Sequence, residues 1–196
     1  MLASPQRFVL VIGLESSGKS SILNKIRILR HSMTLPLTPT IGQNLFKTRY
    51  KKLEVTFWDL GGSERIRDTW NHYYEEANLI YYVIDLSRPD QLAESLKILL
   101  HIIKDTEEAK TPFCIILNKK DAPGACSPEN FITEHMNEEI IPTLLRQGNV
   151  YLIVPTTASE GNYVDPNIDQ MMEWSVEKLR KQIQNTKATQ IEVIDV

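Results

Sequence analysis

The feature that most constrains the fold is a short apolar run that ends directly in a glycine-rich segment. Residues 8–12 (FVLVI) are continuously apolar, which is typical of a buried parallel strand. Residues 13–20 (GLESSGKS) match the phosphate-binding motif G-x-x-x-x-G-K-[ST] at every defined position. A helical spacing of apolar residues begins near Gly18. A strand, a glycine-rich loop and a helix in this order predict backbone amides that surround phosphate groups.

Strand-length apolar segments alternate with helical patterns along the rest of the chain. We predict further strands at residues 44–49, 53–59, 79–85, 113–118 and 150–155. We predict further helices at roughly 91–106, 128–146 with a break at Pro142, and 167–184. The strands at 44–49 and 53–59 flank a basic tip, which we expect to be a solvated hairpin turn. Six strands and about five helices predict an α/β fold of the P-loop NTPase type, with a six-stranded, mostly parallel, doubly wound sheet.

Composition fits one globular domain. The chain has 196 residues, of which 42% are hydrophobic and 24% are charged, and no apolar run approaches the length that spans a bilayer. We predict a domain at 1–184 and an exposed tail at 185–196. The net charge is −3, so a nucleic-acid partner is not expected. Two cysteines are too few for a disulfide framework, which favours a cytoplasmic protein.

The glycine-rich segment supplies the first candidate binding residues. The Lys19 ammonium would reach the β- and γ-phosphates of a nucleotide, and the Ser20 hydroxyl would ligate Mg²⁺. The alternative is a glycine turn with an incidental lysine, which the strand and helix context disfavours. The predicted nucleotide-binding residues here are Gly13, Glu15, Ser16, Ser17, Gly18, Lys19, Ser20 and Ser21.

A second candidate motif, residues 59–62 (DLGG), ends the strand at 53–59. An aspartate at a strand end is suited to hold Mg²⁺, and we expect Asp59 to act through water. The backbone amide of Gly62 can meet a γ-phosphate because no Cβ stands in the way. In isolation the motif is only a turn. Its position one hairpin after the phosphate loop favours the functional interpretation.

A third candidate motif, residues 118–121 (NKKD), follows another predicted strand. The Asp121 carboxylate can accept hydrogen bonds from guanine N1 and its exocyclic amine, a donor pair that adenine lacks. The Lys119 stem can cover the base, and Asn118 can tie this loop to the phosphate loop. Alone the motif is a common solvated turn, but as the third element in order it favours guanine.

Together these residues resemble the ADP-ribosylation factor (Arf) and Arf-like family of small GTPases. The resemblance covers about residues 6–183 and rests on four segments: 13–21 (GLESSGKSS), 39–42 (PTIG), 58–62 (WDLGG) and NKKD. It implies a Mg²⁺-dependent GTP/GDP switch that regulates trafficking or cytoskeletal and ciliary-type effectors. The switch would change the order and register of a few segments when one phosphate is lost.

The resemblance also implies roles for particular positions. Thr40 would close on Mg²⁺ and the γ-phosphate only in the GTP form, and the Ala158 amide, in the segment Thr-Ala-Ser, would meet guanine O6. Residues 43–60 would form a hairpin that slides along the sheet between the two states, and residues 61–74 would form the second switch. Effectors, exchange factors and GTPase-activating proteins would bind at about residues 36–74 of a monomer.

The sequence departs from the family at three places. The glutamine that orients the attacking water is replaced by Ser63, whose short side chain should not reach that water. The implied catalytic positions are thus Ser63, Thr40 and Lys19, and we expect hydrolysis slower than the ~10⁻⁴ s⁻¹ order of a relative with glutamine, unless Glu64 or a partner substitutes. Gln43 replaces a phenylalanine of an apolar effector-binding triad, whose other members match Trp58 and Tyr73.

The third departure concerns the membrane. Residue 2 is Leu2 rather than the glycine that myristoylation requires, and about seven residues precede the first strand, too few for an amphipathic helix. We therefore expect no autonomous membrane anchor and a cytoplasmic protein that meets membranes only through partners.

Two alternatives remain to a GTPase that hydrolyses GTP in repeated cycles. The first is a GTP-bound scaffold with negligible hydrolysis, which Ser63 favours. The second is a P-loop kinase for a small metabolite, which the NKKD motif and the absence of an obvious acceptor lid disfavour.

Overall fold

The structure, a computed structural model, describes residues 6–32, 40 and 42–192, with side chains described up to residue 185. Its sheet has six strands: β1 (Arg7–Ile12), β2 (Gln43–Tyr50), β3 (Leu53–Leu60), β4 (Leu79–Asp85), β5 (Phe113–Asn118) and β6 (Tyr151–Pro155). The strand order is β2-β3-β1-β4-β5-β6. Neighbours are parallel except for β2 and β3, which form an antiparallel hairpin. The predicted fold class is confirmed.

Six α-helices flank the sheet in the part of the chain that the structure describes. They are α1 (Lys19–Leu29), α2 (Glu64–Arg67), α3 (Pro89–Asp105), α4 (Pro128–Phe131), α5 (Ile140–Gln147) and α6 (Pro166–Glu192). A 3₁₀ turn at Trp70–Tyr73 follows α2, and a π-helical turn at Ile132–Met136 follows α4. None of the helices among these residues is long and apolar enough to cross a bilayer.

The helical region predicted at 128–146 is divided, but not at Pro142. The break comes earlier, between Met136 and Ile140, and Pro142 is the third residue of α5. A proline is tolerated there because the N–H groups of a helix's first turn have no intrahelical partner. The position of the break was therefore predicted wrongly.

The last helix also differs from the prediction. It was expected to stop at 184, but α6 continues to Glu192, so most of the segment expected as a tail is helical. Residues 193–196 lie outside the described part. Charged and polar side chains dominate the segment after 184, which gives little hydrophobic periodicity from which a helix could be predicted.

The core has one layer on each face of the sheet. On β1, Val9 and Val11 pack on the face covered by α1 and α6, whereas Leu10 and Ile12 pack on the face covered by α3 and α5. This alternation is the expected result of a strand whose two faces are both buried. Of the cysteines, Cys114 is buried and Cys126 half-buried, and both are free thiols.

The two adjacent tyrosines on β4 show how closely the core is specified. Tyr81 and Tyr82 are fully buried on opposite faces of the sheet. The Tyr81 hydroxyl lies 2.7 Å from Ser175 Oγ, and the Tyr82 hydroxyl donates to the Ser95 carbonyl at 2.8 Å. Each buried hydroxyl is thus satisfied, as burial in a low dielectric requires.

The basic hairpin tip is exposed, and one of its lysines makes a surface ion pair with α6. Lys51 and Lys52 both have positive φ angles, 46° and 69°, which the tight two-residue turn requires. Lys51 Nζ lies 2.5 Å from a Glu173 carboxylate oxygen, and the Tyr50 hydroxyl donates to Asp169 at 2.8 Å. The prediction of a solvated hairpin turn is confirmed, since Lys51 and Lys52 are exposed and the ion pair of Lys51 lies on the surface.

Candidate nucleotide-binding site

The glycine-rich loop lies between β1 and α1, where the carboxyl ends of the parallel strands meet. Its backbone turns through left-handed conformations at Ser16 (φ 61°) and Gly18 (φ 95°). A Cβ on Gly18 would collide with the Asn118 side chain, and one on Gly13 would collide with the Val83 carbonyl oxygen. These two positions therefore need glycine for close packing as well as for backbone conformation.

Lys19 reaches back across this loop from the first turn of α1. Its Nζ donates to the carbonyls of Gly13 at 3.0 Å and Leu14 at 2.8 Å, and the residue is 6% exposed. Burial lowers the pKa of Lys19 to about 8, against the opposing attraction of Asp59 and Glu15. A desolvated ammonium held at the loop is suited to bind an anion, because an anion would restore the stabilisation that water no longer supplies.

Three oxygen-bearing side chains meet beside this lysine. Ser20 Oγ donates to Asp59 Oδ2 at 2.5 Å and lies 3.1 Å from Thr40 Oγ1. Asp59 is 3% exposed, and burial raises the pKa of its carboxyl, whereas its contacts with Ser20, Lys19 and Thr40 oppose that rise. Its Oδ1 is buried and has no hydrogen-bond partner among the described residues.

This oxygen set fits Mg²⁺. The ion prefers hard oxygen ligands and takes one or two carboxylates, with substrate phosphates and water completing its shell. An orphaned, buried carboxylate oxygen at Asp59, next to two hydroxyls, is the arrangement such an ion would satisfy. The described residues contain no cluster of three or more His, Cys, Asp or Glu side chains suited to another metal.

The DLGG motif packs directly on the glycine-rich loop. Gly61 N donates to the Gly42 carbonyl at 2.9 Å, and Trp70 Nε1 donates to the Gly61 carbonyl at 3.0 Å. A Cβ placed on Gly62 would lie 2.5 Å from both Glu15 N and the Gly13 carbonyl oxygen. The backbone of Gly62 thus touches the loop that was predicted to hold the phosphates.

Ser63 follows as the residue that precedes α2. Its hydroxyl makes no capping hydrogen bond to the helix. Ser63 is half-buried and Glu64, on the first turn of α2, is exposed. No hydrogen bond to the loop or to Lys19 is recorded for either side chain in the part of the chain that is described, so neither is held in place of the missing glutamine.

The NKKD motif joins the glycine-rich loop through two hydrogen bonds. Asn118 Nδ2 donates to the Ser17 carbonyl at 2.9 Å, and Lys119 Nζ donates to the Ser16 carbonyl at 2.8 Å. Thr156 Oγ1 donates to Asn118 Oδ1 at 3.1 Å, which connects the segment after β6 to the same point. The three sequence motifs are therefore assembled at one edge of the sheet.

The remaining predicted residues lie around this centre without being tied to it. Asp121 is exposed at the end of its loop, Ala158 is half-buried after β6, and Ser21 is half-buried on α1. Among the described residues, none of the three makes a side-chain hydrogen bond to the glycine-rich loop. Leu2, on which the prediction about membrane anchoring rests, lies outside those residues, as do Pro39 and Ile41 of the PTIG segment.

Two buried aspartates at the site were not predicted. Asp85, the last residue of β4, accepts from Lys119 Nζ at 2.6 Å and from the Ser87 amide at 2.9 Å. Asp165 precedes α6 and lies 2.7 Å from Lys120 Nζ. The strand-end position of Asp85 and the Asp-Pro start of α6 were available as sequence signals, but each also fits a purely local role.

The predicted effector-binding triad includes a nearly buried tryptophan and a hydrogen bond between its other two members. Trp58 is only 8% exposed, because Phe8 stacks on it at 4.5 Å between ring centroids and Tyr73 packs on it edge-on at 5.3 Å. The Tyr73 hydroxyl donates to Gln43 Oε1 at 2.8 Å. Gln43 therefore closes the triad with a hydrogen bond, and Leu45, which pairs with Trp58 on the neighbouring strand, remains exposed beside it.

Comparison with known proteins places these features in a family. The sequence model of the ADP-ribosylation factor family matches residues 2–179. Mouse (Mus musculus) ADP-ribosylation factor-like protein 14 is 35% identical over 173 residues, which is 87% of this chain and 86% of that protein. The solved structure of the Arl6 small GTPase of Trypanosoma brucei, with the bound nucleotide analogue GppNp, is similar in fold. It has a TM-score of 0.74 and 23% identity, over 91% of this chain and 99% of that one.

Proposed function

Because this chain belongs to the ADP-ribosylation factor family of small GTPases, we propose that its guanine-nucleotide switch works through the site described above, with slow GTP hydrolysis. The observation that carries the proposal is the junction of the glycine-rich loop with the NKKD motif through Asn118 and Lys119. These hydrogen bonds hold the loop proposed to bind the phosphates next to the loop proposed to bind the base.

The glycine-rich loop would bind the phosphates. The Lys19 ammonium exchanges its two carbonyl partners for β- and γ-phosphate oxygens, while the loop amides and the start of α1 supply further donors. The neighbouring Glu15, Ser16, Ser17 and Gly18 contribute backbone groups, so the loop binds phosphate largely without regard to the base.

Mg²⁺ would be held by Ser20 and Thr40 directly and by Asp59 through water. When bound, the ion neutralises charge on the phosphate oxygens. Thr40 precedes β2 and Gly62 follows β3, and both lie next to the glycine-rich loop or the start of α1. A γ-phosphate between them would hold both, and its loss would release both, which is the physical basis of a switch.

Guanine would be selected by the two loops that follow β5 and β6. The Asp121 carboxylate accepts from N1 and the exocyclic amine, and the Ala158 amide donates to O6. Adenine offers the opposite pattern of donors and acceptors at these positions. This argues against the alternative of a metabolite kinase, for which an adenine nucleotide would be the usual phosphate donor.

Hydrolysis would proceed by attack of water on the γ-phosphorus, giving GDP and phosphate without a covalent intermediate. The residue that normally orients this water is Ser63 here, and neither its hydroxyl nor the exposed Glu64 is held towards the loop. Lys19 and Thr40 still stabilise charge on the phosphates. The expected result is a GTPase slowed at the water-positioning step rather than at nucleotide binding.

A second candidate function follows from the same residue. If Ser63 reduces hydrolysis to a negligible rate, the protein is a GTP-bound scaffold that binds its partners continuously. The surface for effectors and regulators includes about residues 36–74, of which 40 and 42–74 are described. The hydrogen bond between Gln43 and Tyr73 places a polar group beside the exposed Leu45, which suits partners that combine a polar and an apolar contact at this point.

A single-turnover hydrolysis assay with Ser63→Gln separates the two functions. We expect the substitution to raise the rate of GTP hydrolysis on the order of tenfold to a hundredfold, because a positioned water is worth about that much. Arg65→Gln, which places the same side chain on an exposed position of α2, is the matched control and should leave the rate unchanged.

The two functions predict different wild-type rates in the same assay. Measurable phosphate release by the wild-type protein supports the slow GTPase, and none over many hours supports the scaffold. A wild-type rate that Ser63→Gln fails to raise would contradict the role assigned to this position.

A further inference from the structure

The loops on either side of the predicted guanine pocket meet at one buried carboxylate, that of Asp165. Its Oδ2 accepts from the Thr157 amide at 2.9 Å, in the segment after β6. The same oxygen lies 2.7 Å from Lys120 Nζ, in the NKKD motif after β5. Asp165 itself is 3% exposed. One oxygen atom thus connects two segments of the chain that are distant in sequence.

The other carboxylate oxygen, Oδ1, caps a helix. Asp165 Oδ1 accepts from the Asn167 amide at 3.0 Å and so caps the start of α6. A residue that only capped the helix would need one acceptor oxygen. The second oxygen and the ion pair with Lys120 serve the loops, and the pairing offsets the cost of burying the negative charge.

The segment that contains Ala158 is held by hydrogen bonds on both sides of that residue. The Thr156 amide donates to the Leu117 carbonyl at 2.8 Å, which continues the pairing of β5 with β6. Further along the loop, Lys25 Nζ donates to the Gly161 carbonyl at 2.7 Å. Between these two anchors, the bond from Thr157 N to Asp165 fixes the orientation of the peptide just before the Ala158 amide.

We propose that Asp165 is a positioning residue for guanine recognition, which holds the Ala158 amide at the O6 edge of the base. The inference rests on the proposed function, in which that amide donates to O6. A fixed donor at this point favours a carbonyl oxygen and disfavours the amino group that adenine carries there. Asp165 therefore contributes to selectivity without touching the nucleotide.

The test compares ligands that differ at the recognised edge of the base. GDP carries O6, the N1 proton and the exocyclic amine. 2-Aminopurine riboside 5′-diphosphate lacks O6 and the N1 proton, and inosine diphosphate lacks only the amine. The loss of the N1 contact with Asp121 is common to wild type and variant, so the change in the 2-aminopurine ratio on substitution reports on O6. In Asp165→Asn the carboxamide oxygen can still cap α6, but the NH₂ group cannot accept from Thr157 N or pair with Lys120. The dissociation constants of the three ligands are measured for the full chain in Mg²⁺.

We expect Asp165→Asn to reduce the preference for GDP over the 2-aminopurine ligand by roughly 2- to 10-fold, the usual worth of one hydrogen bond. The preference for GDP over inosine diphosphate should stay the same, because it reports on Asp121. Lys120→Met should change the first ratio in the same direction and by less. Glu177→Gln, which breaks an exposed ion pair on α6, is the control that should change neither ratio.

Three results would overturn the inference. If Asp165→Asn and Lys120→Met both leave the 2-aminopurine ratio unchanged, Asp165 is only a helix cap. If both ratios shrink equally, it stabilises the whole pocket rather than the O6 donor. A wild-type protein that prefers GDP over neither analogue would instead overturn the proposed function on which the inference rests.

Discussion

Gly62→Ala is the substitution that most sharply tests how the switch closes. The Cβ of alanine would lie 2.5 Å from three backbone atoms of the glycine-rich loop, whereas ordinary contact begins at 3.4 Å. Backbone atoms cannot rotate away as a flexible side chain can. The DLGG segment and the glycine-rich loop must therefore separate by about 0.9 Å to admit the methyl group.

The cost of that separation sets the expected size of the effect. Overpacking of this kind typically costs about 1–3 kcal/mol, which corresponds to roughly a 5- to 150-fold change in an equilibrium constant. The cost applies to the closed arrangement, in which Gly62 would meet the γ-phosphate. GDP has no γ-phosphate, so its binding does not require the two segments to touch.

The assay measures dissociation constants for GDP and for a β,γ-imido analogue of GTP in Mg²⁺. We expect Gly62→Ala to weaken binding of the analogue by roughly 5- to 150-fold and to leave GDP binding nearly unchanged. Gly148→Ala is the matched control. It introduces strain at a positive φ of 72° but meets no atom within 4 Å, so it should lower stability without altering the ratio. If Gly62→Ala binds each ligand as tightly as wild type does, or loses the same factor in affinity for both ligands, the proposed closure of Gly62 on the γ-phosphate is refuted.

Two further predictions concern the charge at the site and the polar triad. The pKa of Lys19 is lowered to about 8 in the free protein, and a bound polyphosphate favours the ammonium form, so binding takes up a proton above pH 8. GDP affinity should therefore be constant below pH 7 and fall about tenfold between pH 7 and 9. An affinity that does not change over that range, or one that falls equally in wild type and in Lys19→Met, would contradict this prediction. Tyr73→Phe removes the hydrogen bond to Gln43 and should cost up to about 1 kcal/mol, a fall in Tm of about 2–4 °C at most. Tyr73→Phe should not lower Tm further when Gln43 is already replaced by alanine. If the falls in Tm of the two single variants simply add in the double variant, the two side chains are not coupled.

Most of the fold could be predicted because the sheet is buried on both faces. Continuous apolar runs such as 79–85 then mark the strands, and their ends mark the edge where a ligand binds. The position of the motifs was also informative, because the glycine-rich loop, DLGG and NKKD each come at the end of a strand. This is why Asp59, Lys19 and Asn118 could be assigned to one site before their distances were known.

The features that were missed depend on contacts between distant parts of the chain. The role of Asp165 requires Thr157 and Lys120 to be neighbours, and no local spacing relates these three positions. The same holds for the hydrogen bond from Tyr73 to Gln43, which replaces an apolar contact with a polar one. Sequence periodicity reports which face of an element is buried, but not which polar groups meet across the fold.

The identity of the nucleotide that the purified protein carries shows directly whether the site binds guanine nucleotide. The protein is denatured, and the released nucleotide is separated and identified by chromatography. We predict a guanine nucleotide: GDP if the slow cycle is completed, or GTP if Ser63 holds the protein in the GTP-bound form. The absence of guanine nucleotide, together with no binding of added GTP in the presence of Mg²⁺, would contradict the assignment of this site to guanine nucleotide.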